Sequence, residues 1–286
     1  MLKHISIWIL ASFACYGAMA QPVETAAPKV ATFLDFPPYI SDEEPDDGFI
    51  SVIVKESFAL AGLKPDYTLI NWRRSFRAVR IGEIDASFSW AMSAERAEQV
   101  HMSKPLFSTA NELLTTYPDL TDWTQLVDIA KTGEKPILCV PTGWKIADEV
   151  QTLVDQGVVQ QVSPSHPRFC MELVQAGRTN IVYMPRMTAL HFLDQVEDKA
   201  EADMPAKDIK LYGIPVPSGW SNTQHVIFTK NAEGLALKNQ FDRGLDDLIS
   251  SGRYAEILAR FMSNYPEDQR QALYQKQIID GILPEE

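Results

Sequence analysis

Past an apolar leader, hydrophobic and polar positions fall into repeated strand–helix units. Val30-Ala31-Thr32-Phe33-Leu34 is a short continuous apolar run, which predicts a buried strand ended by Pro37-Pro38. Residues 50–61 place Ile50, Ile53, Val54 and Phe58 on one stripe of a helix, and Gly62 and Pro65 stop it. A strand at 67–70, a helix at 72–81 closed by Gly82, and a strand at 85–90 follow. The pattern repeats beyond residue 110, with strands at 111–116, 136–140, 158–162 and 180–184 and helices at 123–130, 146–156 and 169–176. Residues 235–249, 254–262 and 269–279 read as helices. Units of this length predict an α/β fold with parallel strands and helices on both faces. No Pro/Gly/Ser linker divides the halves, so two lobes joined by strands are expected.

The leader has its own signature. Lys3 and His4 precede apolar residues 5–16, and Ala18-Met19-Ala20 supplies a small–x–small cleavage pattern. Residues 1–20 are therefore expected to be a signal peptide cleaved after Ala20, which places the mature chain in the periplasm. The apolar run is shorter than the about 20 residues that a spanning helix needs, and no other segment qualifies, so the mature chain is expected to be soluble.

Composition narrows the function. The 286 residues are 45% hydrophobic and 22% charged, an ordinary globular mixture with room for two medium lobes. The formal net charge of −12 disfavours nucleic acid and anionic membrane surfaces as partners. Cleavage would remove one lysine and no acid, leaving the chain one unit more negative. It would also remove Cys15 and leave Cys139 and Cys170 as a disulfide or as two buried thiols.

Strong catalytic signatures are missing: there is no G-x-S-x-G, H-E-x-x-H, P-loop or G-x-G-x-x-G. The five histidines, His166 among them, are scattered and read as surface or packed residues. The acidic run 42–47 lacks calcium-loop spacing and reads as a solvated loop. No metal or cofactor is expected.

A set of short motifs carries a resemblance. Phe36-Pro37-Pro38-Tyr39 follows the first strand, and Gly48-Phe49 opens the next helix. Trp72 starts the second helix, and Gly82-Glu83-Ile84-Asp85, Ser93-Ala94-Glu95-Arg96-Ala97-Glu98 and Ser103-Lys104-Pro105-Leu106-Phe107 come after it. Pro141-Thr142-Gly143-Trp144 and Gln175-Ala176-Gly177-Arg178 follow in the second half. In order and spacing this set resembles the family 3 extracellular solute-binding proteins, which include the polar amino-acid receptors of ABC importers. The resemblance implies a two-lobed periplasmic-binding-protein-like fold of type II. Its lobes would be 21–110 with 230–286, and 111–229. Two crossing strands, near 108–112 and 223–230, would join them, with the C-terminal helices returning to lobe 1 and the hinge closing on a ligand.

The carboxyl ends of the strands then supply the candidate ligand residues: Phe36, Tyr39, Trp72, Ser89, Trp90, Arg96, Thr142, Gly143, Trp144, Lys145, Pro185 and Arg186. Aromatic side chains there could wall a small molecule and Arg96 could grip a carboxylate in a two-pronged bond. Tyr39, Trp72 and Trp90 read equally as core. Arg73 and Arg74 read as a solvated face, with one of them near the cleft.

The departures from the family pattern point to the ligand. Amino-acid receptors of the family usually offer an acid to the α-amino group after the lobe 2 strand, where this chain has Pro185 and then Arg186. An ammonium there would lack its counter-charge. The expected ligand is therefore a small organic carboxylate or other anion with a flat or apolar part, handed to an ABC-importer membrane subunit or a membrane sensor by a monomeric receptor. The competing expectation is an enzyme on the same scaffold, similar to the cyclohexadienyl dehydratases, which needs a proton donor in the cleft.

Overall fold

The computed structural model describes residues 26–34, 36–144, 146–198, 209–214, 221–263 and 267–283. The expected signal peptide, its cleavage point after Ala20, and Lys145 lie outside these residues.

The first half contains β1 (Lys29–Thr32), α1 (Phe49–Leu60), β2 (Asp66–Leu69), α2 (Trp72–Arg80), β3 (Ala86–Ala91), α3 (Ala94–Gln99) and β4 (His101–Met102). β1 lies between β2 and β3, parallel to both, as strand–helix–strand crossovers dictate. The second half contains β5 (Phe107–Thr115), α4 (Leu126–Lys131), β6 (Ile137–Cys139), α5 (Asp148–Asp155), β7 (Gln160–Val162), α6 (Pro167–Gln175), β8 (Ile181–Pro185), α7 (Arg186–Asp198), β9 (Tyr212–Ile214) and β10 (Ser221–Phe228). Here β6 lies parallel between β7 and β8. Three helices close the described chain: α8 (Ala232–Ser250), α9 (Arg253–Met262) and α10 (Glu267–Ile279).

The strand order β2-β1-β3-β10-β5-β8-β6-β7 contains the hinge. Residues 107–110 of β5 pair antiparallel with β10, and residues 111–115 pair with β8. β10 also runs antiparallel to β3. One strand thus leaves the first sheet and enters the second, while β10 returns beside it. β5 overlaps the expected first crossing near 108–112, and β10 overlaps the expected 223–230 while its pairs lie in the first sheet.

Burial follows the sequence pattern. The α1 stripe of Ile50, Ile53, Val54 and Phe58 packs with Phe241, Leu245 and Leu248 of α8 in one core. Each such buried side chain contributes about 1.5–3 kcal/mol. The apolar run of β8 is buried on both faces, with Ile181 and Tyr183 in one core and Val182 and Met184 in another. That is the two-sided burial expected of a sheet covered by helices on both faces. Cys139 at the end of β6 is joined by a disulfide to Cys170 of α6, both fully buried, with Cα atoms 5.6 Å apart.

Helix α7 and strand β9 carry no clear periodic signal and are not anticipated by the pattern. Two features tie distant parts together. The Ser108 N–H in β5 donates to Gln277 Oε1 of α10 at 2.8 Å, and Gln277 Nε2 donates back to the Ser108 carbonyl at 3.0 Å. Glu43, in the loop after β1, meets His191 of α7 at 3.1 Å and also accepts from Gln195.

Candidate functional site

A cavity of about 340 Å³ opens where the two sheets meet. From the first half it is lined by Phe33, Phe36, Asn71, Trp72, Arg73, Ser89, Ala91, Met92 and Arg96. Asn111 and Gln224 come from the crossing strands, and Thr142, Gly143, Trp144, Ser165, His166 and Pro167 from the second half.

Local sequence explains how the first wall is built. Asn71 caps α2 by accepting the Arg73 N–H at 3.1 Å, so Trp72 enters the helix at the cleft edge. Trp72 stacks on Trp90, with ring centroids 4.6 Å apart and planes 9° from parallel. Trp90 itself is buried and donates its indole N–H to Ser87 Oγ at 3.0 Å. In β3, Phe88 and Ser89 together oppose Val226 of β10, a β-bulge. Ser89 takes a left-handed backbone with φ of 63° there, and its hydroxyl donates to Gln224 Oε1 at 3.3 Å. Such a conformation costs about 1–2 kcal/mol outside glycine, and here it re-aims the strand so that Ser89 faces the cavity while Trp90 faces the core.

Arg96 is the electrostatic centre. Ser93 caps α3 by accepting the Arg96 N–H, which sets the helix start beside the strand end. The half-buried guanidinium donates through Nη1 to the Ala91 carbonyl at 2.7 Å and lies 5.8 and 5.5 Å from the Trp72 and Trp90 ring centroids. Burial pulls its pKa below the usual arginine value, with Glu95 pulling partly back. No ion pair to Arg96 or Arg73 is formed among the described residues, and no described lining residue is a carboxylate.

The second wall closes against the first. Gly143 has a φ of 88°, and a Cβ built on it would stand 3.3 Å from the Trp72 ring. Glycine is needed there both for the backbone conformation and for the approach. The Trp144 ring meets the Phe36 ring edge-on at 6.0 Å. Thr142 turns its hydroxyl to the Ser163 and Pro164 carbonyls, so it shapes the loop and offers its remaining surface to the cavity. His166 caps α6, accepting the Arg168 N–H at Nδ1 at 3.1 Å. That bond leaves the proton of a neutral imidazole on Nε2.

Phe36, Trp72, Ser89, Arg96, Thr142, Gly143 and Trp144 therefore come together at the cavity. Four expected residues do not. Tyr39 is buried among Phe36, Phe107 and Phe261, an aromatic cluster that holds its loop. Trp90 stands behind Trp72. Pro185 is buried at the end of β8 and lines no part of the cavity. Arg186 is committed to Glu112 of β5, with Nη2 and Oε2 2.6 Å apart, and the pair lies over Gly213 of β9, where any side chain would collide with it. Sequence reading did not pick out Phe33, Asn71, Ala91, Met92, Asn111, Ser165, Pro167 or Gln224. It placed His166 at the surface or in the packing. The Pro167 start of α6 with His166 before it is a capping signal that could have found two of them.

A half-open cavity where the two sheets meet, aromatic on its walls and cationic without a carboxylate among its described lining residues, defines a small-molecule binding site. The chain belongs to the bacterial extracellular solute-binding proteins, family 3, whose model matches residues 29–264. A sequence search of curated proteins returns no match. Among solved structures the chain is similar to the arginine-, lysine-, histidine-binding protein ArtJ of Geobacillus stearothermophilus, at TM-score 0.63 and 19% identity over 86% of this chain and 99% of that one. It is also similar to an amino acid ABC transporter substrate-binding protein of Streptococcus pneumoniae bound to L-arginine, at TM-score 0.62 and 17% identity over 83% and 94% of the two chains. A histidine kinase sensor domain shares the fold at TM-score 0.63 and 18% identity over 83% and 96%. The protein is a solute-binding protein of the two-lobed fold. Among the described residues, no helix is long and apolar enough to cross a membrane.

Proposed function

We propose that the protein is an exported, monomeric receptor that captures a small organic anion between its lobes for an ABC importer or a membrane sensor. The observation that carries this reading is Arg96, a half-buried cation on the cavity wall with free donors and no carboxylate near it among the described lining residues. A buried charge of this kind calls for a counter-ion, and the ligand is its source. Trp72 and Phe36 offer flat apolar surface to the rest of the molecule. Where the family resemblance implies an acid for the ammonium, this chain has Pro185, and Arg186 after it is paired to Glu112, so neither offers an α-amino group a partner.

The switch of β5 from one partner strand to another between Ala110 and Asn111 supports the expected boundary of 21–110 against 111–229 at that point. The pairing of β10 with β3 and β4 instead supports residues 224–228 belonging to the first lobe, ahead of the expected return at 230. Cleavage after Ala20 belongs to the same reading. Mass spectrometry of solute retained through native purification tests it, with a thermal-shift screen of organic acids against amino acids. Stabilisation by organic acids and its loss in Arg96→Gln are expected. Stabilisation by amino acids alone overturns the reading.

A further inference from the structure

We infer that the solute is a dianion, with one anionic group on Arg96, the second on Arg73, and a flat or apolar spacer along Trp72. This rests on the reading that the cavity takes an organic anion. Arg73 is one residue beyond Trp72, in the first turn of α2, and lines the cavity. Its Nε lies 3.9 Å from the Cβ position of Gly143 in the opposite wall, at the point where that wall meets the Trp72 ring. A group held by Arg73 therefore sits beside the point where Gly143 approaches the Trp72 ring, while Arg96 lies 5.8 Å from the ring centroid of the same side chain.

Acidic residues outnumber basic ones by 38 to 26, and Lys55, Lys104, Lys238, Arg186 and Arg253 each hold an acid. Arg73 and Arg96 hold none among the described residues. Other described cations, Lys64, Arg74 and Lys135 among them, also lack an acid partner, but Arg73 and Arg96 are the two arginines on the described cavity lining. Arg96 is half-buried and Arg73 is exposed at the cavity rim, so water screens part of their repulsion, and a second anionic group on Arg73 would relieve what is left. The remaining polar lining groups are neutral amides, hydroxyls and the capping His166, so none supplies the missing negative charge. A dicarboxylate has the required chemistry, and so has a carboxylate that carries a phosphate monoester at its far end.

Isothermal titration with matched pairs tests the assignment: benzoate against the three phthalates, propionate against succinate, and benzoate against 4-carboxyphenyl phosphate. A dianion that binds about tenfold or more tightly than its matched partner is expected, and the pair that shows this separates dicarboxylate from phosphate. Arg73→Gln should collapse the preference. Arg74→Gln, which removes a charge one residue further along α2 and away from the cavity wall, should retain it. Equal affinity for both members of every pair, or a preference that survives Arg73→Gln, overturns the inference while Arg96-dependent anion binding keeps the receptor reading. Binding of amino acids alone overturns both.

Discussion

Trp72 and Trp90 stack face to face at 4.6 Å, yet only Trp72 reaches the cavity. The pair divides labour between stability and binding. Trp90→Ala empties a fully packed site and should cost about 3–5 kcal/mol in urea unfolding. Trp72→Ala removes a partly exposed ring; it should cost less stability and weaken solute binding more. Equal stability losses for the two would show that the indoles share one role.

Arg96 should behave in the opposite way. Its guanidinium is partly dehydrated, and burial already disfavours its charge. Arg96→Gln should leave the melting temperature of the solute-free protein unchanged or raise it. It should abolish the further rise caused by bound solute. Calorimetry with and without solute checks both halves.

Gly143→Ala places a Cβ 3.3 Å from the Trp72 ring on a backbone of positive φ. The strain should cost about 1–2 kcal/mol of stability. Solute affinity should fall more steeply, because the added methyl stands where the lobes meet. An affinity unchanged by the substitution would mean that the walls bind solute without approaching this closely.

Acid should weaken the fold through His225. This side chain is buried in β10, its ring bonded to the Ser103 carbonyl and to Thr223 Oγ1, both at 2.8 Å. Burial pushes its pKa below the ordinary 6.5, although the Ser103 and Lys104 backbones and Asp242 pull it partly back up. The unfolded chain therefore takes up the proton more readily than the folded one. Stability is full above pH about 6.5 and declines as pH falls below it. Thermal melts from pH 7.5 to 5 should show this slope, and His225→Gln should flatten it.

Breaking the Cys139–Cys170 bridge should destabilise the second half. The bridge closes a separation of 31 residues, worth about 3–4 kcal/mol in the chain-entropy picture. Melts with and without reductant give the value, and the double serine variant should match the reduced protein.

The sequence made the strand–helix framework legible because buried strands and amphipathic helices write their periods directly. The α1 stripe and the β8 run each survive as expected. Helix α7 stayed hidden because its apolar residues serve more than one core: Met187 packs with the first half and Phe192 with the second. At the site, Trp72 and Arg96 were readable from motif positions. Asn111 and Gln224 were not, since a polar residue in a crossing strand gives no period. Arg186 looked available for a ligand until β5 brought Glu112 beside it. Pairing partners set by tertiary register leave no mark in local sequence.

The bond between Gln277 and Ser108 gives the end of the described chain a role at its mechanical centre. One side-chain amide occupies both backbone groups of a residue in a crossing strand, as a neighbouring strand would. In the proposed receptor, a rotation of the lobes about β5 would carry α10 with it. The helix lies beyond the matched family segment, residues 29–264. Gln277→Ala should accordingly register in the rate at which solute is released, measured by stopped flow, as well as in the melting curve.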